Sequence, residues 1–134
     1  MKRLSAYLWA GPVSLAALPI VAVAALTGGR VRIEDGVLEA GGGALRPLLS
    51  RGLPWFPIRA ITLGHVVLGT GERELDECRA HERVHVAQYE RWGFLFPIVY
   101  GASSLAALAR GGRLYEDNTY ERQAVRRAEE SASA

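Results

Sequence analysis

Leu4 to Thr27 forms an unbroken apolar and small-residue stretch of 24 positions without a charge. At ~1.5 Å per residue a helix of that length covers ~36 Å, enough for the ~30 Å hydrocarbon layer of a bilayer with some tilt. Tyr7 and Trp9 sit near one end, where interfacial aromatics belong. Pro12 and Pro19 each remove a helical hydrogen bond and argue against a straight span. Lys2-Arg3 ahead of the stretch and Ala22-Val23-Ala24 inside it also fit a cleaved secretory signal. The expectation is a membrane anchor or signal segment over residues 1–28, with a core helix as the remaining option. Lys2 and Arg3 on one side and Arg30, Arg32 and Arg46 on the other leave its orientation undetermined.

Beyond Gly28-Gly29 the period changes. Val31 and Ile33 alternate with Arg32 and Glu34, Asp35-Gly36 is a type I′ turn signal, and Val37 to Ala40 returns. Residues 46–59 hold Pro47, Pro54 and Pro57 and read as irregular, with Leu53-Pro54-Trp55-Phe56 covering the core or lying at a membrane surface. Ala60 to Gly69 is apolar and β-branched and predicts one strand. A helix beginning near residues 72–76 runs without Gly or Pro to Trp92, where Gly93 stops it. Phe94 to Ala109 is uncharged, but sixteen residues reach only ~24 Å. Pro97 and Gly101 favour a core or membrane-apposed helix or hairpin over a span. Tyr120 to about Glu130 forms the last helix, ahead of a frayed tail. Asn118 stands as its N-cap, and Glu121 sits at the capping-box position.

Composition narrows the classes. A chain of 134 residues fits one domain of ordinary size. The formal charge of +2 is too small, and its basic residues too scattered, for a nucleic-acid binder. One cysteine, Cys78, excludes a disulfide framework and reads as a small buried hydrophobe.

The chemistry lies in the helix over residues 73–92. His81-Glu82-Arg83-Val84-His85 is an HExxH sequence. Residues i and i+4 share one helix face, so both imidazoles can reach one Zn²⁺ at ~2.0–2.1 Å. The intervening Glu82 projects beside the metal as a general base. A catalytic zinc needs a third protein ligand and an open position. No His follows, and Gln88 and Arg91 occupy the places where HExxHxxGxxH would have its last two signature residues. The third ligand is therefore a carboxylate or His65. Glu90 points off the His81/His85 face, Glu129 and Glu130 fall in the tail, and Glu121 opens a separate helix well placed to cross this one. Capping competes for the same side chain. His65, on the strand face of Ile61, Leu63 and Val67, reads as a buried structural histidine or a substrate contact. Tyr115, Tyr120 and Arg113 are the other candidates to contact substrate or transition state.

HERVH followed by a separate glutamate helix resembles the gluzincin branch of HExxH zinc metallopeptidases. The combination GHVVLG, AHERVHVAQYERWG and YEDNTYERQA is similar to small bacterial membrane-associated proteins of zincin type, over Ile61 to Arg127. The resemblance implies an α+β fold. In it an N-terminal transmembrane helix precedes a minimal zincin-like domain over residues 29–134, with a small antiparallel sheet, the HExxH helix, an apolar helix or hairpin and the glutamate helix. It carries His81, His85 and Glu121 as ligands of Zn²⁺ and Glu82 as base. The chain departs from the family in the thirty-five residues between His85 and Glu121 and lacks its usual glutamate signature. The function implied is a membrane-associated zinc-dependent hydrolase in a bacterial inner membrane, acting on a peptide or protein beside membrane lipid. The alternative is a non-catalytic zinc-binding or metal-free membrane-anchored interaction protein.

Overall fold

The computed structural model describes residues 2–52 and 58–134. The Leu53–Phe56 segment therefore lies outside the described residues. The described chain is mixed α and β. Its elements run α1 (Lys2–Leu26), β1 (Arg30–Glu34), β2 (Val37–Gly41), α2 (Leu45–Ser50), β3 (Ala60–Leu63), β4 (Val66–Gly69), α3 (Glu72–Trp92), a 3-10 turn (Gly93–Leu95), α4 (Phe96–Ala109) and α5 (Thr119–Ser133).

The sheet has order β1-β2-β4-β3. Asp35 and Gly36 both take positive φ, as a type I′ turn demands, and pair Glu34 with Val37. The region expected as a single strand from Ala60 to Gly69 is instead a second hairpin. Gly64 adopts φ +65°, and Leu63 pairs with Val66 across the two-residue Gly64-His65 turn. A glycine within a β-branched run is where a chain can reverse at no steric cost, and that signal outweighs the run itself. The two hairpins join through their inner strands, β2 and β4, which lie parallel, with Leu38 opposite Val66 and Gly41 opposite Gly69. The sheet is therefore mixed rather than antiparallel. Gly41 and Ala60 both lie opposite Gly69, so the connection through α2 begins and ends at one end of the sheet, and β3 carries the chain back to start β4 parallel to β2.

Two layers cover the sheet. On one face α1 and α2 bury Ala17, Val21, Ala24, Leu45 and Leu49 against Ala40, Val66 and Leu68. The small residues Ala10, Ala17 and Ala24 recur every seven positions, so the backbone of α1 can approach closely. On the other face Leu75 and Val86 of α3 pack on Val37 and Val67. A third cluster, Ala10, Tyr89 and Phe96, ties α1 to the end of α3 and the start of α4. Gly93 ends α3 with φ +59°, its N–H bonded to the Tyr89 carbonyl, and so turns the chain into α4.

By length and composition two helical stretches, Arg3–Leu26 and Glu72–Ala109, could cross a membrane. The second is bent at Gly93, and its apolar part, α4, is only 14 residues long. It stays on the protein: Tyr100, near its middle, bonds Glu121 of α5. The last helix reaches Ser133, so Glu129 and Glu130 are helical and not frayed.

Candidate metal centre

The site stands where α3, α5 and α4 meet. Helical spacing brings His81 and His85 to one face of α3, and α5 lies across that face. Asn118 caps α5 by accepting the Tyr120 N–H at 2.8 Å. Its amide also donates to the Tyr100 carbonyl (3.0 Å) and to Ser104 (2.7 Å), which pins the start of α5 to α4. The capping expectation thus holds for Asn118. The carboxylate of Glu121 is directed at the histidines instead.

Three donor groups converge. Glu121 Oε2 lies 3.0 Å from His81 Nε2. Glu121 Oε1 lies 3.1 Å from His85 Nε2, and the two Nε2 atoms are 3.1 Å apart. Glu121 and His85 are buried, and His81 is partly so. Ligands held ~2.0–2.1 Å from a tetrahedral Zn²⁺ sit roughly 3.3–3.4 Å from one another. The observed separations, taken to the two Glu121 oxygens, are close to that edge, so the three side chains could hold a metal ion.

The tautomer of His85 sharpens the point. Gln88 donates through its amide nitrogen to the Tyr120 carbonyl (3.1 Å) and to Gln123 Oε1 (2.8 Å). Those bonds assign its oxygen as the atom facing His85 Nδ1 at 2.8 Å. Nδ1 must then carry a proton, and Nε2 points its lone pair at Glu121. A lone pair and a carboxylate cannot face each other at 3.1 Å unless a positive charge lies between them. In the metal-free protein that charge is a proton. Burial opposes it, but the hydrogen bond and charge of Glu121 outweigh burial and raise the pKa of His85. Burial alone would raise Glu121 as well, yet the bonds from His81 and His85 hold it far below the usual carboxylate range. A divalent cation takes the place of such a proton and satisfies all three donors together.

Glu82 is also buried. Thr62 of β3 donates to its Oε2 at 2.7 Å and fixes how the carboxylate is turned. Glu82, His85 and Glu121 line one cavity of about 420 Å³, otherwise walled largely by apolar side chains such as Ile61, Phe96 and Leu114. Tyr100 donates to Glu121 Oε1 at 2.6 Å. Burial first, and then the charge of Glu121, push the phenols of Tyr100 and Tyr115 above the ordinary tyrosine value, so both remain protonated.

The other sequence candidates are scattered. Tyr115 lines the cavity. Tyr120 packs edge-on against Phe96. Arg113 is exposed beside Asp117 at 3.6 Å. His65 is not on a strand face but in the β3–β4 turn, buried under the Tyr7 ring with centroids 4.1 Å apart and bonded to Glu90 at 2.9 Å. Sequence reasoning missed Thr62, Tyr100 and the orienting role of Gln88. Gln88 lies three residues after His85, within helical reach, and that spacing was the available signal. Thr62 and Tyr100 are brought in only by tertiary packing.

A buried charge cluster stands on the same side of the sheet. Glu39 of β2 is 1% exposed and is held by Arg32 (2.9 Å), Arg79 (3.0 Å) and Arg83 (3.1 Å). It fastens α3 to the sheet on the flank opposite the histidines.

No protein-family model matches the chain, and no curated protein or solved structure is detectably similar to it.

Proposed function

We propose that the chain is a membrane-associated zinc-dependent hydrolase, a metallopeptidase of gluzincin type. The observation that carries the reading is the convergence of His81 Nε2, His85 Nε2 and the Glu121 carboxylate at 3.0–3.1 Å. His81, His85 and Glu121 would hold the metal. Bound there, Zn²⁺ would supply a Lewis acid that lowers the pKa of water towards ~7 and polarises a carbonyl.

The chain's own residues supply the rest. Glu82, turned by Thr62, accepts the proton of the attacking water and returns it to the leaving amine. Tyr115 is a protonated phenol in the same cavity, and it donates a hydrogen bond to the oxygen on which negative charge develops. Gln88 keeps the His85 ring in its working tautomer. Among the described residues β3 pairs only with β4, which leaves its other edge unpaired where Ile61, Thr62 and Leu63 line the cavity. An extended peptide can add to that edge by backbone hydrogen bonds. An apolar side chain then fits the cavity, whose charged lining, two carboxylates and His85, disfavours an acidic one.

Elemental analysis of purified full-length protein tests the first half. Near one zinc per chain is expected, lost in His81→Ala and in Glu121→Ala. Absence of zinc after reconstitution would remove the reading. Glu82→Gln tests the second half: zinc should persist while cleavage of apolar peptide substrates falls by at least ~100-fold. Undiminished cleavage in that variant would show that Glu82 is not the base.

A further inference from the structure

We infer that the α1/α2 face is an in-plane docking surface for an anionic lipid bilayer, with α1 lying along the membrane rather than crossing it. The inference rests on the membrane association proposed above but not on the metal.

Three observations carry it. First, α1 is fastened to polar parts of the protein along its length. Tyr7 donates to the Gly36 carbonyl at 2.6 Å. Ser14, at the midpoint of α1, accepts the His65 N–H at 2.9 Å, and His65 in turn bonds Glu90. A bilayer perpendicular to α1 would bring Glu90 and the Glu34-Asp35 turn towards hydrocarbon, which strongly disfavours charge.

Second, the outward side of this layer is apolar. Leu8 is 71% exposed, Leu15 66% and Leu26 87%. The strand next to α1 continues the surface against the usual rule. In β1 the charged Arg32 turns inward to Glu39, while Ile33 is 73% exposed and lines an open groove with Leu8, Leu15 and Leu18. Leu48 of α2 is also exposed on this side.

Third, the acidic residues are segregated to one layer. No acidic residue occurs between Met1 and Ile33 or between Ala40 and Gly71. Those segments supply the whole described α1/α2 layer, and they carry exposed Arg3, Arg46 and Arg51, with Arg30 at the border beside Glu72. Eleven of the fourteen acidic residues lie from Glu72 onward, in the layer that holds the metal centre. An apolar strip with basic residues, whose bordering acids are confined to the Glu34-Asp35 turn at one end, has the chemistry of a surface that enters an anionic headgroup layer.

The test uses the full chain in a Cys78→Ser background, with nitroxide labels placed singly through Leu4→Cys, Leu15→Cys and Leu26→Cys. The probe is a vesicle of phosphatidylglycerol and phosphatidylcholine. Label depth is read from accessibility to oxygen against a water-soluble relaxant. In-plane docking predicts that the three depths agree within ~5 Å, whereas a span predicts Leu15 deeper than both ends by on the order of 10–15 Å. A deep Leu15 label overturns the inference. Failure to bind vesicles also overturns it, as does label broadening between copies without lipid, which would give the face to a second copy of the chain. Omitting phosphatidylglycerol should weaken binding at least ~10-fold, as should Leu15→Asp with Ile33→Asp, whose side chains are exposed and whose circular dichroism should not change. Undiminished binding in either case counts against the inference. The label depths should be the same in His81→Ala, so loss of the metal reading would leave this result standing.

Discussion

Gln88 offers the sharpest single perturbation because its two ends do different work. Its oxygen holds His85 Nδ1 at 2.8 Å, and its nitrogen bonds the Tyr120 carbonyl and Gln123. Gln88→Met keeps the volume and removes both ends. Loss of such an outer-shell partner costs ~10–100-fold in metal affinity, or about 1.4–2.7 kcal/mol. Gln88 is 5% exposed, so losing its two donated bonds, to the Tyr120 carbonyl and to Gln123, adds a stability loss of about 1–3 kcal/mol in the metal-free protein. For a domain of this size that corresponds to a fall in melting temperature of roughly 3–15 °C. Gln88→Glu separates the two effects. It keeps an acceptor for Nδ1 but cannot donate to Tyr120, so it should melt early while binding zinc within ~3-fold of the parent. Zinc affinity is read by competition with a chromophoric chelator, and stability by thermal melts in the chelator alone. If Gln88→Met bound zinc as the parent does, or if Gln88→Glu lost as much affinity as Gln88→Met, the tautomer argument would be wrong.

Other outcomes follow from the same geometry. Glu39 is buried among three arginines, and Glu39→Gln should destabilise by about 3 kcal/mol because the guanidinium charges lose their counter-ion. Burial raises the Glu39 carboxyl, but its bonds to Arg79 and Arg32 lower it further, so its folded pKa is below the ordinary 4.5. Its stabilisation is therefore present above pH 4.5 and lost as pH falls through the depressed folded value, and urea midpoints from pH 7 to 3 should decline less steeply in the Gln variant. Gly93→Ala meets both a glycine-only backbone, φ +59° with ψ −138°, and the Trp9 ring 2.5 Å from the new Cβ. A loss of at least ~3 kcal/mol is expected, and adding Trp9→Ala should relieve the clash while leaving the ~1–3 kcal/mol of backbone strain. Equal melting temperatures for Gly93→Ala and the parent would contradict that backbone assignment.

Local signals placed most elements. The Asp35-Gly36 turn, the Glu72–Trp92 helix with its Gly93 stop, and the Asn118 cap were all legible, because each depends on residues within four positions of one another. The errors share a cause. Ala60–Gly69 was read by its β-branched run, although Gly64 already marked the reversal. The alternation in β1 was legible, but its direction was not. Val31 and Ile33 share one face and Arg32 and Glu34 the other, and the structure turns Arg32 inward to Glu39 while Ile33 is exposed. Alternation fixes which residues share a face, while tertiary charge pairing and the neighbouring layer decide which face is buried.

The candidate site divides along the same line, and the division bears on what can be read from any HExxH sequence. His81, Glu82 and His85 come from one helix, so their proximity follows from 3.6 residues per turn. Glu121 was reached by eliminating the other acids, and only packing could decide between cap and cluster. The structure separates those duties: Ser103 and Asn118 accept the first N–H groups of α5, and Glu121 meets the histidines. Thr62 and Tyr100 have no spacing relation to the motif, yet they bond Glu82 and Glu121, the two carboxylates of the cluster. An unsupported carboxylate near another would take up a proton or rotate away. The two hydroxyl donors, with His81 and His85, hold each carboxylate turned in one orientation. A surface coincidence of HExxH would not need these donors, because an exposed Glu82 would be solvated by water. Their presence on two different elements, β3 and α4, is therefore the feature that most separates a built site from a chance one.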